Sequence, residues 1–138
     1  MSRSLRRARA VIDATLVDRL DSLAGAALAR LPETAYPLVN KLSAAKLVPP
    51  ARLPGDVVTI GSEVEYRDDL TGRALRVRLV WPEHADISRG CVSVLTPVGV
   101  ALLGLSAGDR FRWIMRGGEE RALTVLEVAP ESPSPAEA

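Results

Sequence analysis

Cys91-Val92-Ser93-Val94-Leu95-Thr96-Pro97-Val98-Gly99-Val100-Ala101-Leu102-Leu103-Gly104-Leu105-Ser106-Ala107-Gly108-Asp109 is the stretch whose reading decides the fold class of this 138-residue chain. Val92 and Val94 alternate with Ser93, the period of a half-buried strand. Thr96-Pro97 then reads as a helix start, with Thr96 as the cap and Pro97 at the first helical position. There the missing N–H is no loss and the fixed φ already suits a helix. Val98, Ala101, Leu102 and Leu105 fall on one side at helical spacing, Gly104 and Gly108 offer stops, and Gly108-Asp109 reverses the chain into a further strand.

Outward from this stretch, strands are expected at about 57–60, 63–68, 73–81, 91–95, 110–115 and 122–128. Leu75, Val77, Leu79 and Trp81 alternate with Arg76 and Arg78, and Phe111, Trp113 and Met115 with Arg110, Arg112 and Arg116. Residues 69–72 and Gly117-Gly118 read as hairpin turns. Many strands with one short helix imply an antiparallel sheet covered on one face, an α+β body.

Before a Pro/Gly linker at 51–55, Ile12, Leu16, Leu20, Leu23, Ala27 and Leu31 form a narrow helical seam. A proline at position 32 should stop that helix, because the residue before a proline avoids helical angles. Ala35, Leu38, Leu42 and Ala45 form the seam of a second helix expected over about 35–47, with Thr34 as its cap. Pro37 fits only in its first turn, and Pro49-Pro50 ends it. Two such helices make an antiparallel hairpin with arms of about 13–20 residues, reaching roughly 20–30 Å at 1.5 Å per residue. Neither arm can bury a core alone, so the hairpin must pack on the body, dimerise or dock on a partner. The organisation expected is a short helical hairpin over 1–50, a sheet body over 51–128 and a disordered Pro/Ser/Glu/Ala tail over 129–138.

Composition is that of an ordinary folded chain, 47% hydrophobic and 25% charged. No window approaches the roughly 18 apolar residues of a membrane helix. Cys91 is the single cysteine, so neither an internal disulfide nor a zinc cluster can form within one chain, and a reducing cytoplasm is the expected home. Residues 1–50 hold eight Lys/Arg against four Asp/Glu, and residues 51–138 ten against thirteen. The basic start, Arg3, Arg6, Arg7 and Arg9, suits either nucleic-acid contact or a solvated terminus.

Catalytic chemistry finds no foothold. His84, the single histidine, sits in a polar loop without a nucleophile or orienting partner. No glycine-rich phosphate loop is present, and Cys91 reads as a strand residue. Asp68-Asp69 and Glu83 with Asp86 fall in turns, where acidic side chains favour local hydrogen bonds. Arg76, Arg78, Arg110 and Arg112 should emerge on a solvent face where Glu63, Glu65, Glu119 and Glu120 can neutralise them. No catalytic residue, metal or cofactor is expected.

Val58-Thr59-Ile60-Gly61-Ser62-Glu63-Val64, the 92–104 run and Gly108-Asp109 together resemble the C-terminal domain of the Gre transcript-cleavage factors. The match covers about 54–128, with a weaker one over 38–50, and it is stronger to members whose N-terminal hairpin is short. This resemblance implies an FKBP-like sheet and a seat on the secondary-channel rim of RNA polymerase. The family's rim-contacting serine and proline fall on Ser93 and Pro97, and Thr96 stands where the family usually has serine. Gre activity depends on two acidic residues at the hairpin tip, which help hold a metal ion and position water. Here the tip, residues 29–36, carries Arg30 and a single acid, Glu33. The expectation is therefore a non-enzymatic polymerase-binding regulator that competes with Gre factors without stimulating cleavage. It would have no sequence-specific nucleic-acid or membrane contact, and a monomer is favoured. A true cleavage factor is the alternative, and an FKBP-like prolyl isomerase, resting on fold analogy alone, stands behind it.

Overall fold

The computed structural model describes residues 9–115 and 117–129. Arg3, Arg6, Arg7 and Arg116, and the tail beyond Ala129, lie outside the described residues. The α+β class holds: two N-terminal helices precede a curled, mostly antiparallel five-stranded sheet with one short helix. Among the described residues no helix is long and apolar enough to cross a membrane.

The described residues open not with a helix but with strand β1 (Val11–Asp13), and helix α1 spans only Val17–Ala27. Asp13 is the reason for the break. Its carboxylate accepts from the N–H of Thr15 at 2.8 Å and from its hydroxyl at 2.7 Å, starting a tight turn before the helix. Helix α2 runs Pro32–Ala44, starting earlier than the seam predicts and ending sooner. Pro32, not Thr34, opens it, because a first-turn N–H has no partner to lose. Pro37 is its sixth residue, beyond the first turn. Having no N–H, it gives nothing back to the preceding turn, yet the helix runs on through it to Ala44. Residues 46–48, expected at the helix end, form strand β2 (Lys46–Val48), paired in parallel with β1.

The sheet order is β5-β4-β3-β7-β6, from β3 (Glu63–Asp68), β4 (Ala74–Val80), β5 (Cys91–Ser93), β6 (Arg110–Ile114) and β7 (Glu120–Ala129). Its pairs are antiparallel except β4 with β5, which run parallel. The expected strand at 57–60 is a bridge, Val57 to Ser106, followed by exchange between Val58 and the 104–105 backbone. Gly104 makes this crossing possible. At φ +84° it donates to the Val58 carbonyl and accepts from the N–H of Val11, and an added Cβ would lie 2.7 Å from Ala10.

The hairpin lies on the body rather than standing off it. Leu20, Ala24, Leu38 and Leu42 share one buried cluster with Val64, Leu79, Leu102 and Leu123. Helices of 11 and 13 residues span only about 16–20 Å. The seams hold over Leu20–Ala27 and Ala35–Leu42, while Ile12 lies in β1 and Ala45 beyond α2, and their partner is the protein's own sheet and helix α3 (Pro97–Leu102).

Candidate docking surface

The junction between β5 and α3 is fixed by side chains that bond within it. Thr96 is extended, and its hydroxyl accepts from the Gly99 N–H at 3.0 Å while donating to the Ser93 carbonyl at 2.8 Å. Pro97 occupies the first helical position. The Ser93 hydroxyl accepts from the Leu95 N–H at 2.9 Å, and Ser93 is buried at 9% exposure. Ser93 thus faces inward and shapes the turn, whereas Thr96 and Pro97 are half-exposed. Gly99 lets the helix press against the strand end, since an added Cβ would sit 2.2 Å from the Ser93 carbonyl oxygen.

The hairpin tip meets this junction. Arg30 and Glu33 are exposed, Thr34 is buried, and the turn closes through the Leu31 N–H to the Ala27 carbonyl at 2.7 Å. Glu33 and Thr34 line the same groove as Thr96, Pro97 and Trp113, a cleft of about 360 Å³. A second, shallower groove of about 460 Å³ continues over Pro32, Tyr36, Ile114 and Met115. Tyr36 and Ile114 are 59% and 62% exposed, so the face is apolar as well as concave. The fold brings Glu33, but not Arg30, together with Thr96 and Pro97 along the groove, and it adds Tyr36, Trp113, Ile114 and Met115. Tyr36 belongs to the tip, but no sequence signal points to the other three, because alternation marks which strand residues share a face and not which element crosses above them.

Lys41 is the other residue missed. It is buried, and its Nζ donates to the carbonyls of Val100, Ala101 and Leu103 at 2.6, 2.8 and 2.8 Å. These are end-of-helix carbonyls of α3, which lack intrahelical donors and lie at the negative end of its dipole. The ammonium also sits 4.2 Å from the Phe111 ring centroid. Burial pushes Lys41 down to about 7. The signal was available: Leu38, Lys41, Leu42 and Ala45 follow the i, i+3, i+4, i+7 spacing of a buried stripe.

The remaining candidates are held locally. Burial would raise Asp68, but the Leu70 N–H and the Arg121 guanidinium outweigh it and hold the carboxyl below its usual range. Asp69 is treated alike by Arg67 and Thr124. Asp86 is lowered by Ser88, whose hydroxyl and N–H both donate to it. Arg76 pairs with Glu65 and Glu127 and Arg112 with Glu120, as a mixed-charge face implies, whereas Arg110 pairs with Asp69 and the half-buried Arg78 donates to the Gly61 carbonyl. His84 is exposed in a short turn, and Cys91 is half-buried.

The family model described as transcription elongation factor, GreA/GreB, C-terminal, matches residues 53–130. The chain is 42% identical over 118 residues to a regulator of nucleoside diphosphate kinase from Escherichia coli K12, covering 85% of this chain and 84% of that one. It is 39% identical over 83 residues to transcription elongation factor GreA of Chlorobium phaeobacteroides, covering 59% of this chain and 52% of that one. A solved GreA/GreB transcription elongation factor from Nitrosomonas europaea superposes with a TM-score of 0.68 at 32% identity, covering 89% of this chain and 99% of that one.

Proposed function

The chain belongs to the GreA/GreB transcription elongation factor family, and from that premise we propose that it is a non-enzymatic, cytoplasmic regulator that binds RNA polymerase at the rim of the secondary channel. The surface that makes the contact is the groove where Glu33 and Thr34 meet Thr96, Pro97 and Trp113. That juxtaposition is the observation that carries the reading. With its tip drawn against the body, the hairpin fills space at the channel mouth instead of reaching inward. A tip with one carboxylate in residues 29–36 adds a second reason why bound protein leaves transcript cleavage unstimulated. Within the contact, Thr96 and Pro97 present the edge and Ser93 sets the turn beneath it.

The test is co-elution with core RNA polymerase, followed by displacement with a Gre factor and an assay on backtracked transcripts. The expected results are a stable complex, mutual displacement, and cleavage at the polymerase's own basal rate. Cleavage stimulated by the added protein and lost on Glu33→Ala would reassign it as a cleavage factor. Failure to co-elute would remove the polymerase as partner.

A further inference from the structure

Between α2 and β6 opens a further cleft, of about 420 Å³, which shares Trp113 with the docking groove and is otherwise lined by residues that groove lacks. That volume lies within the ~300–1,000 Å³ of small-molecule sites. Its walls include Pro37, Leu105 and the rings of Phe111 and Trp113, whose centroids are 6.3 Å apart at a 33° tilt. Its charged lining has one sign: Arg9, Lys41 and Arg112 contribute, and no carboxylate does. Arg112 shares its charge with Glu120, Nε to Oε2 at 2.7 Å. Arg9 and Lys41 donate instead to neutral carbonyls, Arg9 through Nε to Ala44 at 3.0 Å. The guanidinium charge of Arg9 is therefore not cancelled within the cleft. Asn40 adds an amide with donor and acceptor on the α2 wall.

An uncharged apolar ligand would leave these cations unexplained, and a bare polyanion would leave the aromatic wall unused. A flat ring carrying an anionic group uses both, with the ring against Phe111 and Trp113 and the anion on the guanidinium fork of Arg9. We propose that this cleft binds a nucleotide, its base on the β6 aromatics and its phosphate toward Arg9 and Arg112. Lys41 acts through its field from the floor, its three protons being taken by α3. Because the ligand touches α2 on one side and β6 on the other, its binding clamps the hairpin to the sheet and raises the unfolding temperature.

Trp81→Phe leaves Trp113 as the sole tryptophan and a reporter in the cleft wall. This protein is titrated with ADP and GDP, and then with guanosine and with inorganic pyrophosphate as the separated halves. The expected result is saturable quenching by at least one nucleotide, with each half binding about tenfold more weakly. Arg9→Ala should weaken the nucleotide roughly fivefold or more, and Ala44→Phe, which narrows the mouth, should abolish binding with the circular dichroism spectrum retained. Absence of saturable quenching by either nucleotide into the millimolar range would overturn the proposal, as would quenching undiminished in both variants. Deleting residues 2–8 separates the cleft from the basic segment before it. Retained affinity supports a site anchored at Arg9, and affinity lost with the segment overturns it.

Discussion

Lys41 carries a charge where burial ordinarily forbids one, and its surroundings explain both its survival and its consequences. Three carbonyls and an aromatic face replace the water it gave up, yet burial still lowers it from the ordinary 10.5 to about 7. Between those values the unfolded chain holds a proton that the folded chain has shed. Stability therefore rises as pH climbs from about 7 toward 10 and is at its lowest below 7, with a slope of up to about 1.4 kcal/mol per pH unit. Urea midpoints of wild type and Lys41→Met across this range check the sign: the wild type gains on the variant as pH rises. Gly99 gives a second prediction at this scale. Gly99→Ala drives a methyl into the Ser93 carbonyl and should destabilise by about 1–3 kcal/mol, the usual range for overpacking a site with rigid neighbours, again read from urea unfolding.

At the scale of elements, local chemistry was legible and distant pairing was not. Thr96-Pro97 announced α3 because cap and first-turn proline act within a few residues, and the structure has both in place. Ile12 suits a helical seam by its spacing to Leu16, but it is buried in a strand whose partner lies 35 positions away, at Leu47. Val57–Ile60 looked like a strand by composition, while its backbone groups go to Leu105 and Gly104 instead of a ladder. Thr34 was read as a cap and is instead a buried residue beside the groove. The Thr96–Pro97 edge is singled out as a contact only by family likeness, and the apolar face around it required the fold. The shared core makes a prediction that the chain divided at residue 50 does not. Leu38→Ala, buried completely against both units, should cost about 2–5 kcal/mol. It should also lower one common transition rather than release the hairpin first. Thermal melts followed by tryptophan fluorescence and by helical circular dichroism should coincide.

Across the whole molecule, the groove at the hairpin tip should behave as a surface built for a partner and not for the fold. Ile114 is 62% exposed at the end of β6 and lines both parts of the groove. Exposed apolar side chains at this density mark interaction sites when they cluster in a concavity. Ile114→Asp removes little buried area, so the stability change should stay within about 0.5 kcal/mol. At an interface the same carboxylate would be desolvated without a partner, a penalty of several kcal/mol. Leu126→Asp is the matched control, 41% exposed on β7, six residues along the strand from Glu120, the partner of Ile114. At about 3.4 Å per residue that is roughly 20 Å away. Co-elution with core RNA polymerase should fail for Ile114→Asp and persist for Leu126→Asp, with unfolding midpoints for both close to wild type. Equal loss in both variants would mean that general surface charge governs the association, and equal retention would place the contact elsewhere on the body.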